Sequence, residues 1–421
     1  MTTIALKHEN TASLAEDPRT LKIRLAKAIR RKRINAFLYV LPLFLFVFVA
    51  FALPMMQMAR LSVQNGAGGD ILHRSQVAMK DWTGSDLPSE EIAAALVADM
   101  VEARENRTIG KVATRVNYSL PGSRSVITGT ARKAKSLQAP YLEALATANP
   151  AWQDPQIWVS IRRAIAPVTP DFYLAALDLE RDMDGNVVFV EPERQIYITL
   201  FVRTLILSVL ITSLCLLLGF PVAYLLASLP AKYANLLMIL VLLPFWTALL
   251  VRTTAWLALL QSQGVINDIF VFLGLIGNEQ RLQLIYNATG TVIAMTHILL
   301  PFTILPLYSV MKTISPTYVR AAESLGAAPS VAFFRVYLPQ TKPGIAAGCL
   351  LVFILSIGFY ITPALVGGSD GQLISNFIAL HVQRSLNWGL AAALSTILLA
   401  AILILYWLFN KLVGIDKLKL G

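Results

Sequence analysis

The chain has 421 residues, of which 56% are hydrophobic and only 14% are charged, and its formal net charge is +11. Soluble proteins contain about 25% charged residues, so this composition excludes an ordinary soluble domain. Apolar runs of about 20 residues are long enough to cross a bilayer as helices. The only two cysteines, Cys215 and Cys349, lie in such runs, which excludes a disulfide framework.

Six apolar runs predict an all-α membrane protein with six transmembrane helices. The first run lies in residues 34–58, after a polar and basic tail at 1–33. It lacks the small-residue cleavage pattern of a signal peptide, so we expect a retained span. The runs are Ala36–Met58, Thr204–Leu229, Leu236–Val251 (extending past Arg252 to Leu260), Thr291–Met311, Gly344–Val366 and Gly389–Phe409. The last five belong to a transmembrane core at 197–413, and residues 414–421 form a C-terminal tail.

A long polar segment, residues 59–196, separates the first span from the second. It contains Trp82, Trp152 and Trp158, and its apolar residues suffice for a small core. Glu90–Arg104 and Pro155–Ala166 have helical periodicity. A segment of this length is more than a connector, so we expect a folded extracytoplasmic insertion. It could serve assembly and stability, or it could be a docking surface for a substrate-binding protein.

The basic residues are unevenly distributed. Residues 59–197 contain 15 Lys and Arg against 17 Asp and Glu, whereas the rest of the chain contains 21 basic and 8 acidic residues. The basic residues outside the insertion cluster before the first span, near Lys232, around 312–342 and at the C-terminus. These places share one side of the membrane if six spans alternate. The positive-inside rule makes that side the cytoplasm, so both termini are predicted to be cytoplasmic. This pattern explains the basic excess without nucleic-acid binding.

The most distinctive polar stretch, RAAESLGAAPSVAFFRVYLP, covers Arg320 to Pro339 within a loop at 313–342. Its local chemistry predicts a helix-turn-helix. Ser315 can cap the first helix, with Pro316 at its first position, and Gly326 can end that helix in the left-handed conformation. Pro329 can open a second short helix, which Pro339 is expected to stop.

This stretch resembles the EAA loop of ABC-importer permeases, in which glutamate and two alanines precede a fixed glycine and a hydrophobic-x-Leu-Pro follows. The matching residues are Ala321, Ala322, Gly326, Val336, Leu338 and Pro339. Arg320 stands where the family has its opening glutamate, and Glu323 lies nearby. The resemblance implies that the two helices sit in a cleft of a partner ATPase and transmit its closure to the membrane.

Segments from the second span to the end resemble permeases of the spermidine/putrescine class. They include LLLGFPVAYLLA at 216–227, LLPFWTALLVRTTAW at 242–256 and GFYITPALVGG at 358–368. The resemblance implies the type I ABC-importer permease fold in the bacterial inner membrane. It also implies a second homologous permease, two cytoplasmic ATPases that bind ATP and Mg²⁺, and an external binding protein. Related permeases move polyamines, opines and other small nitrogenous solutes, so an opine or amino-acid-like solute stays open.

Three residues in these segments are candidates for the solute path: Trp246, Tyr360 and Thr362. Aromatic faces can hold a cation, although aromatic residues in membrane helices also serve packing. Arg252 is expected to snorkel at the outer interface or to anchor the helix there, and His297 to be packed or hydrogen-bonded.

Several chemical signatures are absent from the sequence. None of the six runs contains Asp or Glu, whereas ion-coupled carriers depend on intramembrane ionisable groups. No Gly-rich nucleotide loop ending in Gly-Lys-Ser/Thr and no His-Glu-x-x-His motif occurs. We therefore expect a transport subunit with no catalytic residues, no metal and no cofactor of its own. A secondary carrier for an organic cation and a membrane assembly factor are the alternatives.

Overall fold

A computed structural model describes residues 18–413 except 66, 85 and 183–184. The predicted tail 414–421 and the first half of the predicted tail 1–33 lie outside these residues. The chain divides into two compact units, Met1–Met58 and Ala59–Gly421.

The first unit is helical. α1 covers Pro18–Val47, a π-helical stretch covers Phe48–Ala52, and α2 covers Leu53–Leu61. The π turn comes directly before Pro54, and the N–H of Leu53 bonds to the carbonyl of Phe48 five residues back. Proline has no N–H to donate to the helix, and the widened turn before Pro54 lets the helix continue past it.

The second unit begins with a small helical domain that contains the predicted insertion. Its helices are α3 Ala67–Ile71, α4 His73–Ala78, α5 Glu90–Glu105, α6 Ile109–Ser119, α7 Ser123–Lys133, α8 Tyr141–Ala148, α9 Pro155–Ile165 and α10 Asp171–Ala176. Strands β1 Leu179–Arg181 and β2 Val187–Phe189 then pair antiparallel, with Leu179 opposite Phe189. The predicted helices at 90–104 and 155–166 are confirmed within a residue.

Two tryptophans form the centre of this domain, as the composition predicted. Trp152 and Trp158 are buried, and their ring centroids are 5.1 Å apart in an edge-on arrangement. Each indole N–H has a partner, because Trp152 donates to the hydroxyl of Thr130 at 2.8 Å and Trp158 donates to the carbonyl of Trp152 at 2.9 Å. Leu96 and Ile161 pack in the same apolar cluster. The domain therefore has its own core.

The rest of the unit is a bundle of long and short helices. They are α11 Tyr197–Ser228, α12 Ala231–Leu242, α13 Leu249–Leu259, α14 Val265–Phe272, α15 Ala288–Thr313, α16 Thr317–Ser324, α17 Pro329–Ala332, α18 Leu338–Gln340, α19 Lys342–Gly358, α20 Ile361–Val366, α21 Ile374–Gln383 and α22 Trp388–Val413. Helices α11, α15 and α19 form its centre, where Ile211, Cys215 and Val352 are buried together. Cys215 is thus a packing residue, as expected.

Four helices in the described part of the chain are long and apolar enough to cross a membrane, or up to six if each of two bent helix pairs counts as one span. The four are Ala26–Leu61, Tyr197–Ser228, Ala288–Thr313 and Trp388–Lys411. The bent pairs are Ala231–Trp246 with Leu249–Leu259, at 96°, and Pro329–Gln340 with Lys342–Gly358, at 60°. The chain is thus a helical membrane protein.

Two predicted spans are not continuous helices. The run predicted from Leu236 past Arg252 breaks after a 3-10 turn at Leu243–Trp246. Pro244 lies in that turn and cannot donate the backbone hydrogen bond that a continuing helix needs. The run predicted to end at Val366 also breaks, since α19 ends at Gly358 and Phe359 is extended.

Candidate functional site: the coupling loop and the core around it

The predicted helix-turn-helix is present in the loop at 313–342, which we call the coupling loop after the role that the resemblance implies. The first helix, α16, begins at Thr317 with Pro316 as its N-cap, one residue later than predicted, and the Ser315 hydroxyl accepts a hydrogen bond from the N–H of Thr317 at 3.3 Å. The second helix opens at Pro329, as predicted.

Gly326 ends the first helix in the left-handed conformation, as predicted, with φ of +89°. Its N–H bonds to the carbonyl of Glu323 at 2.9 Å, and the N–H of Ala327 bonds to the carbonyl of Ala322 at 3.0 Å. These two bonds define a Schellman motif, which satisfies the last carbonyls of the helix. No atom lies within 4 Å of where a Cβ would stand on Gly326, so the backbone angle alone demands glycine.

The prediction that Pro339 stops the second helix is wrong. The helix continues from α17 through a π-helical stretch at Phe333–Tyr337 into α18, and it bends only at Thr341. The N–H of Leu338 bonds to the carbonyl of Phe333, five residues back. The π turn again comes just before a proline, so the missing N–H of Pro339 is accommodated by widening the helix rather than by ending it.

The outer face of the loop is exposed. Arg320, Ala321 and Glu323 are solvent-exposed, and neither charged side chain has an ion pair within the described residues. Leu325 is 89% exposed and Phe334 is 63% exposed. Exposed apolar side chains beside polar ones are typical of a surface that another protein covers.

The inner face of the loop is fixed to the core by aromatic rings. The ring of Phe333 lies edge-on to Tyr224 at 5.7 Å and to Phe220 at 6.3 Å, and Tyr337 lies edge-on to Tyr224 at 5.3 Å. Phe220 and Tyr224 belong to the last turns of α11. Edge-to-face aromatic pairs add about 0.5–1.5 kcal/mol each to their burial. The sequence shows the aromatic residues of FFRVY, but it does not indicate that their partners lie on α11.

The three remaining residues of the matched motif are half-buried or exposed. Val336 and Leu338 are half-buried, and Pro339 is exposed. The carbonyl of Val336 accepts from the Gln340 amide at 2.8 Å, and that of Leu338 accepts from the Thr341 hydroxyl at 2.7 Å. These two hydrogen bonds lie at the bend between the loop and α19.

The three candidates for the solute path differ in exposure. Trp246 is 77% exposed and Tyr360 is 38% exposed, so both rings are accessible to a solute or a neighbour. Thr362 is fully buried, and its hydroxyl lies 3.1 Å from that of Thr253 on α13. The described contacts do not bring the three together, and their part in a path stays a prediction.

Arg252 is half-buried, and its place at a membrane interface stays a prediction. Its Nε and Nη1 atoms are buried without a hydrogen-bond partner in the described part of the chain. One turn further along α13, the Trp256 indole donates to Nδ1 of His297 at 3.0 Å. His297 is therefore hydrogen-bonded, as predicted.

Asp178 joins the small domain to the bundle, and the sequence reasoning missed it. Its carboxylate accepts hydrogen bonds from the N–H groups of Ile196, Tyr197 and Ile198 at 2.8–3.1 Å. These are the first N–H groups of α11, which otherwise lack partners. Asp178 lies 18 residues before Ile196, the N-cap of the helix, so no local sequence signal reveals this cap.

A second junction lies nearby. The Tyr197 hydroxyl contacts Nε2 of His381 at 2.9 Å, Nδ1 of His381 contacts the Ser385 hydroxyl at 2.9 Å, and the Tyr118 hydroxyl donates to the Ser385 carbonyl at 2.9 Å. Burial lowers the pKa of His381, which favours a neutral ring. A cavity of about 350 Å³ lies beside these groups and is also lined by Arg115 and Asp171.

One cluster could in principle hold a cation. His73, Asp99 and Glu102 place their ligand atoms within 4.8 Å of one another. Arg74 already lies between the two carboxylates, with Nη1 3.6 Å from Asp99 Oδ1 and Nη2 3.0 Å from Glu102 Oε2. A guanidinium in this position supplies the positive charge that the carboxylates need.

Comparison with known proteins identifies the class. Residues 216–414 match the family described as "Binding-protein-dependent transport system inner membrane component". The matched region contains the coupling loop and α12 to α22.

Individual relatives match about half of the chain. The chain is 34% identical over 235 residues to the spermidine/putrescine transport system permease protein PotB of Escherichia coli K12, covering 55% of this chain and 84% of that protein. It is 36% identical over 215 residues to PotB of Haemophilus influenzae, covering 50% and 74%. It is also 31% identical over 217 residues to the molybdenum permease ModB of Mycobacterium bovis, covering 51% and 78%. The crystal structure of a bacterial ABC transporter involved in the import of the acidic polysaccharide alginate has a TM-score of 0.43 and 22% identity, covering 53% of this chain and 80% of that one.

The family match and the permease relatives show that this chain is a permease subunit of an ABC importer in the inner membrane. Within that class, the chain belongs to the binding-protein-dependent permeases of the spermidine/putrescine importer family. The small domain at the start of the second unit lies before the matched region.

Proposed function

We propose that this chain is the membrane-spanning permease subunit of an ATP-driven importer that moves a polyamine of the spermidine/putrescine type across the inner membrane. The observation that carries the proposal is its 34–36% identity to spermidine/putrescine permeases, over half of this chain and at least 74% of theirs. A permease for molybdenum is 31% identical to this chain. Sequence identity at this level therefore supports the class of transporter more strongly than it supports the identity of the solute.

The proposed complex contains a second homologous permease, two cytoplasmic ATPases and an extracytoplasmic binding protein. The ATPases bind ATP and Mg²⁺, and this chain contributes neither a catalytic residue nor a cofactor. Both termini and the loop at 313–342 face the cytoplasm, in line with the basic residues around them. Residues 59–196 face outward, where the binding protein docks on them.

The coupling loop carries ATPase closure into the membrane. Its exposed face, with Arg320 and Glu323, contacts the ATPase. Phe333 and Tyr337 then pass the displacement to α11 through rings that are already in contact. Packed aromatic groups have no empty space to absorb such a movement. ATP binding turns the path outward to accept solute, and hydrolysis resets it.

The path holds its solute weakly. The six apolar runs contain no Asp or Glu, so cation–π contact with Trp246 or Tyr360 supplies the attraction, on the order of 0.5–2 kcal/mol. Tight binding in the membrane would slow release. Thr362 joins α20 to α13 rather than contacting solute itself, since its side chain is buried and its hydroxyl lies 3.1 Å from that of Thr253.

Uptake of labelled spermidine and putrescine tests the proposal. Cells that carry the complete set of subunits are compared with a strain that lacks this chain. We expect uptake at micromolar solute only with the chain present, lost on ATP depletion and retained with an uncoupler that leaves ATP intact. Equal uptake in both strains contradicts the polyamine assignment. Uptake that survives ATP depletion but collapses with the uncoupler indicates a secondary carrier.

A further inference from the structure

The small domain separates its charges along the chain. Residues 104–135 contain 8 of the 15 Lys and Arg of residues 59–197, but only one of the 17 Asp and Glu, Glu105. The domain is nearly neutral as a whole, so its average charge conceals a basic segment of net +7. This segment covers the end of α5, all of α6 and α7, and the turn after them.

The fold brings part of this segment together. α6 and α7 are joined by a short turn at Gly122, whose φ is +89°, and they pack as a helical hairpin. The start of α6 therefore lies beside the end of α7. Arg104 confirms the juxtaposition, because its Nη1 donates to the carbonyls of Ala131, at 3.3 Å, and Arg132.

Five basic residues meet at this place, which we call the basic end of the hairpin. They are Arg104, Arg107, Arg132, Lys133 and Lys135, and all are solvent-exposed. Lys135 pairs with Glu105 at 2.7 Å, which leaves a net charge of +4. Arg107, Arg132 and Lys133 have no ion pair in the part of the chain that the structure describes.

Local helix stability explains only part of this cluster. Basic residues in a last helical turn are favoured by the helix dipole, by about 0.3–1 kcal/mol each, and Arg104, Arg132 and Lys133 lie in such turns. That preference does not place Arg107 or Lys135 there. It also does not explain why only one carboxylate lies among them. Repulsion between these charges is tolerated, which is typical of a surface that meets an anionic partner.

The other end of the hairpin contacts the membrane bundle. The hydroxyl of Tyr118, near the end of α6, donates to the carbonyl of Ser385 at 2.9 Å. Arg107 lies in the turn just before α6, and the helix from Ile109 to Tyr118 is about 14 Å long. The basic end is thus about three helical turns from the bundle contact. We take a soluble protein as the partner, and the test below separates it from lipid headgroups.

We propose that the basic end of the hairpin receives an acidic surface of the soluble binding protein that delivers the solute. This inference rests on the proposed function, because a protein that selects polycations needs carboxylates around its cleft. Opposite charges steer the encounter and set its salt dependence, chiefly through the association rate. The docking surface thereby lies in the part of the chain that precedes the family match.

The test measures docking on the complete transporter in lipid nanodiscs. The probe is the spermidine-loaded binding protein, titrated at about 50 mM and 200 mM salt, with stimulation of ATP hydrolysis and surface binding as readouts. The variants are Lys133→Glu and the triple Arg107→Glu/Arg132→Glu/Lys133→Glu. Lys80→Glu, on an exposed lysine outside the hairpin, is the matched control. Basal ATP hydrolysis without binding protein reports on assembly.

We expect the triple variant to raise the apparent Kd at least tenfold at low salt, to flatten the salt dependence, and to leave basal hydrolysis unchanged. Lys133→Glu should have a smaller effect in the same direction, and Lys80→Glu should match the unsubstituted chain. Equal affinity in all variants, or equal loss with Lys80→Glu, overturns the inference. An effect that appears only when the nanodiscs contain phosphatidylglycerol overturns it in favour of lipid contact. An unsubstituted complex that does not respond to loaded binding protein overturns the proposed function itself.

Discussion

Gly326 offers the sharpest test of the coupling loop. Its φ of +89° is left-handed, and no atom lies within 4 Å of where a Cβ would stand. A substitution there strains the backbone but causes no steric clash within the chain. The effect of backbone strain can therefore be measured separately from that of side-chain packing. For an ordinary L-residue that strain is about 1–2 kcal/mol. A difference of this size changes the ratio of formed to unformed turn by roughly 5- to 30-fold.

Three substitutions grade the strain. Gly326→Val should be the most damaging, because a β-branched residue tolerates positive φ worst. Gly326→Ala should lose less, and Gly326→Asn least, although asparagine is larger than alanine, since asparagine visits the left-handed region most readily. Little else holds this turn, because Leu325 beside it is 89% exposed. The strain should therefore appear in function rather than in the stability of the whole bundle.

The assay is solute transported per ATP hydrolysed, in proteoliposomes that contain the complete complex. We expect the ratio to fall in the order Asn, Ala, Val, while the amount of membrane-inserted protein stays constant. An asparagine variant as impaired as the valine variant would show that side-chain volume against the ATPase matters, not φ. Normal coupling in Gly326→Val would refute the assignment of Gly326 as the pivot of the loop.

Three further predictions concern the loop and the junction of the two domains. Glu323→Ala should reduce co-purification of the ATPase more than Arg320→Ala does, because Glu323 is the carboxylate nearest the place of the family's glutamate; equal retention would show that neither charge holds the subunits. Asp178→Ala should lower the stability of the detergent-solubilised protein by about 1–2 kcal/mol in a thermal-shift assay, since three N–H groups lose their acceptor. Asp178→Asn should lose less, because its amide oxygen can still accept from these N–H groups and asparagine tolerates the φ of +55°; equal losses in the two variants would argue against capping. Gly389→Ala should lower the stability by about 1–3 kcal/mol, since a Cβ would lie 2.3 Å from the Phe172 ring. Adding Phe172→Leu should restore part of the lost stability; no recovery would show that the ring is not the obstacle.

Local chemistry predicted the coupling loop well. The left-handed glycine and the helix opened by Pro329 depend on residues within a few positions, so the sequence alone contains the information. The same reasoning failed at Pro339, because a helix can widen into a π turn before a proline and continue. The break after Trp246 was missed for a related reason. Hydrophobicity runs without interruption through Leu243–Trp246, and only Pro244 signalled it.

Contacts between distant segments lay beyond sequence reasoning. The Asp178 carboxylate reaches α11 across a loop and a β-hairpin, and the partner of Tyr224 lies more than 100 residues away. The composition of one segment does not indicate which distant segment it contacts. Arg252 follows an apolar run in the sequence, and only the folded chain shows that its Nε and Nη1 atoms are buried.

These distant contacts give α11 a particular position in the molecule. At one end, Phe220 and Tyr224 pack against the coupling loop, and at the other, Asp178 caps the helix from the small domain. The helix has 32 residues, which corresponds to about 48 Å. A helix held at both ends can shift only if both attachments follow or one gives way. Movement of the coupling loop should therefore reach the small domain through α11, even though their surfaces lie on opposite sides of the bundle. The Asp178→Ala variant tests this second role: if α11 transmits movement, stimulation of ATP hydrolysis by docked binding protein should fall more than basal hydrolysis does. An equal fall in both rates would assign the cap to stability alone.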